Sequence, residues 1–386
     1  MGARADVVII GAGVVGASVA HHLACLGVRD VLLLDRAAGP GQGSTGRATG
    51  GFRAQFDDAP EVRLSLLARD KLRAFGDEVG GDAGYDPAGY LWLASSEAEL
   101  ATLRHGLEVQ RREGLAEARE ITPADAREIN PAVSVDGVVG GAFCPTDGFI
   151  RPTGMLAGYL ASAERAGARV SWDVDVLGAE RGAGGRLDAL VTSRGRVEAG
   201  VVVNAAGAWA GALGDALGLP VPVTPSRRMV AVTRDAAGLS AHMPMTLFTR
   251  DGFHLRVRDG RVLLLRPSAT HESPAEAVDD AWLDDVWAVA RARVPSLSAT
   301  ELSRADAWSG LYEMSPDGRA IVGRHPACDA FVLANGSSGH GVMHAPALGQ
   351  IVAELIVHGE ARCMDVRALR PSRFAEGDVA PARVRL

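Results

Sequence analysis

Ala5-Asp6-Val7-Val8-Ile9-Ile10 runs into Gly11-Ala12-Gly13-Val14-Val15-Gly16, and twenty residues on Asp30-Val31-Leu32-Leu33-Leu34 ends at Asp35. The first run is continuously apolar, as a parallel strand buried on both faces must be. Ala17–Leu26 has helical character, Gly27 suits a C-cap, and the Asp30–Leu34 run reads as a second strand. Strand, glycine turn, helix and strand thus follow within about 30 residues, the context in which G-x-G-x-x-G indicates a dinucleotide site. Gly11 supplies the tight turn, Gly13 the close pyrophosphate approach and Gly16 the close helix–strand packing. Val14 and Val15 open a helix whose free N–H groups and dipole face the pyrophosphate. Asp35, followed by Arg36, can accept hydrogen bonds from ribose hydroxyls and disfavours a 2′-phosphate. The motif leaves NAD and FAD both open.

Composition narrows the chemistry. Of 386 residues, 40 are basic and 47 acidic, and Lys71 is the only lysine. No G-x-x-x-x-G-K-[ST] run exists, so a P-loop is excluded, and a pyridoxal Schiff base has almost no lysine to use. Lys71 falls in a helical pattern over Glu61–Val79 and reads as a solvated surface lysine. A net charge of −7 makes no electrostatic case for nucleic acid or anionic membrane. Cys25, Cys144, Cys328 and Cys363 lack metal-ligand or disulfide-framework spacing, so no metal site is expected. No apolar run reaches the ~18 residues of a membrane span. With no separate signal segment ahead of the first strand, a cytoplasmic location is expected.

Further helices are expected over Ser96–Gly114, Arg151–Ala166, Trp282–Val294 and Pro346–His358. Strands are expected over Arg169–Val176, Val201–Val203 and Ala330–Asn335. Val221–Thr233, Gly252–Val257 and Arg261–Leu265 have the alternation of antiparallel strands. A short glycine-rich loop spans Arg181–Arg186. Dinucleotide-type pieces lie at the beginning, middle and end, with antiparallel pieces between, which implies two domains built from interleaved segments.

Three later segments point past nicotinamide. Ser44–Arg53 (STGRATGGFR) offers hydroxyls and N–H groups to a pyrophosphate, while Gly50 and Gly51 let a flat ring lie against backbone. Asn204–Trp209 (NAAGAW) follows a strand and makes a second close approach at Ala206 and Gly207. Asn335–Pro346 (NGSSGHGVMHAP) is a strand-to-helix loop whose helix N-terminus could stabilise negative charge on a reduced ring system.

Together with GLYEMSPDGRAIVG over 310–323, these segments resemble the D-amino-acid-oxidase-like superfamily of FAD-dependent amine oxidoreductases. The superfamily includes glycine oxidase, sarcosine oxidase and dimethylglycine oxidase. The last block is most similar to β subunits of heterotetrameric sarcosine oxidases and of dye-linked L-proline dehydrogenases. The resemblance implies an α/β fold: a Rossmann-like FAD-binding domain from discontinuous segments plus an α+β substrate domain with an antiparallel sheet. The expected bounds are 1–85, 145–220 and 310–386 for the FAD domain, and 86–144 and 221–309 for the substrate domain. It also implies FAD contacts at Gly11, Gly13, Gly16, Asp35, Ser44, Thr45, Arg47, Ala206, Gly207, Gly339, His340, Gly341 and Val342. Arg53 matches an arginine that binds the substrate carboxylate, a role that bidentate guanidinium pairing suits; an ordinary salt bridge is the alternative.

Three departures from the family pattern stand out. Monomeric sarcosine oxidases attach flavin to a Cys where this chain has Gly310, so non-covalent FAD is expected. Met343 stands where they carry a carboxylate-binding Lys. The strand corresponding to their oxygen-activating Lys, Arg261–Leu265, has none, with Arg258 and Arg266 as neighbouring cations. The expected activity is oxidation of a small primary or secondary amino acid by hydride transfer to the flavin, giving an imine that hydrolyses. His254, Tyr312 and His344 are the polar candidates beside Arg53, and each could equally be structural. A homo-oligomer or a partner electron-transfer subunit is compatible with this reading. A non-catalytic FAD-bearing subunit and an NAD-dependent dehydrogenase are the alternatives.

Overall fold

The computed structural model describes residues 3–182, 187–268 and 277–379. Its first sheet has a parallel centre in the order Cys328–Asn335, Gly195–Asn204, Ala3–Ile10, Val31–Leu34, Arg169–Ser171. Ile321–His325 adds an antiparallel edge, and the Val176–Arg181 and Leu187–Thr192 ribbon continues from Gly195–Asn204. From Val7 and from Val31 onward the apolar runs alternate with period 2. Val7, Ile9, Val31 and Leu33 enter one core; Ala5, Val8, Ile10, Leu32 and Leu34 enter the other. The first core is closed by the helices Val14–Cys25, Ala59–Arg73, Pro152–Arg165 and Gly341–His358. Ile10 pairs with both Asn204 and Leu34, and Asn204 with Leu333, so the carboxyl ends of four strands share one edge. Ligands of open α/β sheets bind at that edge.

The second sheet runs Trp308–Met314, Thr224–Val232, Arg261–Leu265, His254–Arg258, Met245–Phe248, Tyr90–Ala94, Gly140–Cys144, Arg119–Ile121. All neighbours are antiparallel except the parallel pair Met245–Phe248 and Tyr90–Ala94. Asp280–Arg293 and Pro123–Ile129 contribute to the core that covers one of its faces. No helix among the described residues is long and apolar enough to cross a membrane.

Several expectations change in detail. Trp308–Met314 lies wholly in the second sheet, across residue 310, because its pairing with Thr224–Val232 is unbroken from Trp308 to Met314. Tyr90–Ala94, Gly140–Cys144 and Met245–Phe248 are strands with no alternating signal, being buried on both faces or rich in glycine. The last helix starts at Gly341, so Pro346 sits inside it; Gly336, Ser338 and Gly339 turn with positive φ and complete the loop early. Lys71 is not solvated: its side chain is 15 % exposed, 3.7 Å from Glu78. The helix stops at Arg73, and the Phe75–Glu78 turn folds back towards it. Residues 183–186 of the Arg181–Arg186 loop lie outside the described residues.

Candidate active site

A cavity of about 590 Å³ lies along the carboxyl edge of the first sheet and reaches the second, a size usual for cofactor sites. Its walls include Gly11, Gly13, Val14, Val15, Asp35, Arg36, Ser44, Thr45, Arg47, Gly50, Gly51, Ala206, Gly207, Gly339, Gly341 and Val342. The glycines separate into two physical kinds. Gly11 has φ +105°, and a Cβ there would stand 2.3 Å from the Ala205 carbonyl oxygen; at Gly16 it would stand 1.9 Å from the Gly11 oxygen. Those two are demanded by the fold, and Gly16 does not line the cavity. A Cβ at Gly13 would meet nothing nearer than the Thr45 hydroxyl at 3.4 Å. Its missing side chain leaves room that belongs to the cavity, as a closely held pyrophosphate needs.

Asp35 ties this end together. Its two carboxylate oxygens accept from the N–H groups of Ala12 (2.8 Å) and Ala37 (2.9 Å), and each retains a lone pair for a ribose hydroxyl. The Thr45 hydroxyl accepts from Val14 N–H at 3.1 Å. The Arg36 guanidinium lies 4.1 Å from the Trp209 ring centre, and both line the cavity. The Ser44–Gly51 loop is clamped by the second sheet. Ser44 donates to the Leu311 carbonyl, and Trp308 to that of Arg47. Arg258 donates to the Ala48 carbonyl, and Arg256 to those of Thr49 and Gly50. Arginine-rich strands thus fix the loop by five-donor forks, a task a single-point lysine performs poorly.

A small cavity of about 90 Å³ adjoins the large one, sharing Thr49, Gly51, Arg228, Leu265, Tyr312, Gly339 and Met343 with it. Arg53, His254 and His340 line the small cavity only. His340, expected as a cofactor contact, lines the small cavity and not the large one. Arg53 is 5 % exposed; it donates to the Gln55 carbonyl (2.6 Å) and to His340 Nε2 (3.0 Å), and Phe56 lies 3.9 Å from its guanidinium. It makes no carboxylate ion pair among the described residues, and no Asp or Glu lines the small cavity. Burial pulls the Arg53 pKa down, against the raising influence of Tyr90 and Asp147. Tyr90, Met229, Met245, Arg266 and Pro267 complete the walls. The signal missed in sequence was the charge pair in Thr224–Val232, where Arg227 and Arg228 interrupt an apolar strand.

His344 does not line either cavity. It is buried one helical turn beyond His340, with Nε2 2.7 Å from the Ser65 hydroxyl and Nδ1 3.7 Å from Glu61. Burial, and then the Arg53 charge, hold it neutral, its pKa pushed down to about 3. Glu61 is fully enclosed there, and its Oε1 has no partner among the described residues. Desolvation foremost, then Asp58, pushes its carboxyl up to about 8. The folded chain therefore keeps a proton that the unfolded chain releases above its ordinary value of 4.5. The Glu61 contribution to stability is fullest below about pH 4.5 and is lost as pH rises towards 8. Glu61→Gln should thus match the wild-type melting temperature near pH 5 and exceed it increasingly up to pH 8. A pH-independent difference between the two would contradict that account.

Comparison with known proteins agrees with this geometry. The chain is 28 % identical over 422 residues to FAD-dependent oxidoreductase domain-containing protein 1 of Bos taurus, covering 98 % of this chain and 86 % of that protein. It is 27 % identical to glycine oxidase of Geobacillus kaustophilus, covering 92 % and 94 %. The crystal structure of L-proline dehydrogenase from P. horikoshii superposes with a TM-score of 0.91 at 27 % identity, over 98 % of this chain and 100 % of that one. Residues 6–355 match the family described as FAD dependent oxidoreductase. The chain therefore belongs to the FAD dependent oxidoreductase family and is an FAD-dependent enzyme of the amino-acid and amine oxidoreductase type.

Proposed function

We propose that the protein oxidises a small primary or secondary amino acid of the glycine, sarcosine or proline kind, with FAD held without a covalent bond. The observation that carries this is Arg53, a buried guanidinium whose partners are the Gln55 carbonyl and the His340 ring nitrogen and no carboxylate, in a 90 Å³ cavity beside the cofactor cavity. A buried cation in that state is completed by a ligand carboxylate. When bound, FAD accepts the hydride. Arg53 holds the carboxylate, and the walls of Tyr90, Met229, Met245, Leu265 and Tyr312 exclude water around the reacting carbon. The Arg53 charge, with no acid lining the cavity beside it, disfavours a second positive charge there, so the amine is bound neutral. Substrate carbon loses hydride, nitrogen loses a proton, and water hydrolyses the imine. Gly310 at the cofactor cavity supports non-covalent binding, since it has no thiol to form a link. Four free cysteines suit a reducing cytoplasm.

The test is anaerobic. The yellow holoenzyme should bleach with at least one of glycine, sarcosine, D- or L-proline and D-alanine. Reoxidation in air should be slow, because the strand Arg261–Leu265 offers no counterpart of the oxygen-activating lysine that the family resemblance would place there. Failure of every amino acid to bleach the flavin would sink the reading and favour a non-catalytic FAD-bearing subunit.

A further inference from the structure

We propose that His254 is the group that recognises the substrate nitrogen, accepting a hydrogen bond from its N–H and so selecting amino acids that carry one over N,N-dialkyl or N-alkylproline analogues. This rests on the amino-acid reading above and assigns a wall of the same cavity.

His254 opens the strand His254–Arg258 and pairs across the sheet with Leu265, the residue that lines both cavities. The ring therefore stands one strand away from the junction of cofactor and substrate spaces. Its Nδ1 is 2.8 Å from the Gly252 carbonyl oxygen. A carbonyl only accepts, so Nδ1 must carry the ring proton and Nε2 must be the acceptor. Nε2 has no partner among the described residues, while the ring lines the small cavity. Burial first, opposed by the Gly252 bond and helped by the Arg53 charge, holds the His254 pKa down at about 4. At working pH the ring is thus neutral, and it is too weak a base to deprotonate an ammonium ion. What it offers is a fixed lone pair.

No other side chain of the cavity offers an acceptor as strong as a neutral imidazole nitrogen. Arg53, Arg228 and Arg266 are donors only. His340 Nε2 is already occupied by Arg53. Burial holds the phenols of Tyr90 and Tyr312 protonated, and a phenol oxygen is a poorer acceptor than a neutral imidazole nitrogen. With the carboxylate on Arg53, a neutral primary or secondary amine has an N–H to give to His254. A neutral tertiary amine has none and would leave Nε2 unsatisfied in a closed site.

The experiment compares sarcosine with N,N-dimethylglycine, and L-proline with N-methyl-L-proline, in the wild type, His254→Leu and His254→Gln. Anaerobic flavin reduction gives kcat/KM-type rates. Perturbation of the flavin spectrum by tetrahydrofuran-2-carboxylate, which keeps the carboxylate and lacks N–H, reports an intact pocket. His254→Leu should lower the rate with the N–H substrate about 10- to 100-fold, leave the N-methyl partner within about threefold and leave the spectral titration unchanged. His254→Gln, which keeps an acceptor, should recover part of the loss. A purely steric preference would survive in His254→Leu, so equal losses on both members of a pair would overturn the proposal. So would a wild type that reduces equally with both. If the titration shows carboxylate binding but no amino acid reduces the flavin, the amino-acid reading itself fails, and this assignment with it.

Discussion

Arg53→Met is expected to lower kcat/KM by between about thirty- and five-thousand-fold, the equivalent of about 2–5 kcal/mol for truncating one partner of a buried charge pair. The loss should fall mainly on substrate binding, because the guanidinium fork is the carboxylate's partner and does not line the cofactor cavity. Flavin content and the visible spectrum should therefore survive. Arg53→Lys should recover little. The wild-type side chain spends Nη1 on Gln55 and Nη2 on His340, and an ammonium cannot hold both while still presenting a fork. Steady-state kinetics with flavin content measured alongside decides the matter. A variant with near-wild-type kcat/KM would remove Arg53 from the binding site.

A pair of glycine substitutions should separate folding from cofactor binding. At Gly16 a Cβ would lie 1.9 Å from the Gly11 carbonyl oxygen, with the Gly11 carbonyl carbon 3.1 Å away. Neither can retreat, because the Gly11 N–H is bonded to the Leu34 carbonyl at 2.8 Å. Gly16→Ala should thus cost more than the about 1–3 kcal/mol of ordinary overpacking, far beyond the ~1 kcal/mol that Ala regains in a helix. Poor soluble yield and a strongly lowered melting temperature are expected. Gly13→Ala meets only the Thr45 hydroxyl at 3.4 Å. The apoprotein should keep its melting temperature while FAD affinity drops about 10- to 100-fold, from the same overpacking cost falling on the ligand. Thermal melts with and without added FAD distinguish the two. Equal behaviour of the variants would refute the division of these glycines into fold-forming and ligand-facing.

Much of this was legible in the chain because it depends on short-range order. Both faces of Ala5–Ile10 are buried, and a run without polar alternation announces that. The glycine spacing needed no partner from elsewhere in the chain. The second sheet was legible only in part. Tyr90–Ala94 and Met245–Phe248 pair in parallel from positions 155 residues apart, and neither carries a local period that names its partner.

Site legibility followed the same line. Arg53, His254 and Tyr312 were each identifiable by type and neighbourhood, and folding brings the three to one small cavity. His344 has the same type of signal in the same motif. One helical turn carries it from the cavity wall at His340 into a buried contact with Ser65 and Glu61. Local sequence could not tell these two histidines apart, because both are polar residues in an apolar helix start.

By itself the sequence determined the dinucleotide edge, through strand runs and glycines whose demands are met by neighbours a few residues away. Its near-total use of arginine also excluded lysine chemistry. Only the tertiary structure decided which arginine lines the small cavity without an acid partner. Arg256 and Arg258 turn to carbonyls of the Ser44–Gly51 loop and Arg266 to Asp251, while Arg53 lines that cavity with no carboxylate ion pair among the described residues. Lys71, a surface residue by its sequence pattern, is tucked against Glu78 and lines neither cavity. The physical reason is the same throughout. A residue's type sets what it can bond, but its partner is chosen by which distant strands the sheets bring within reach.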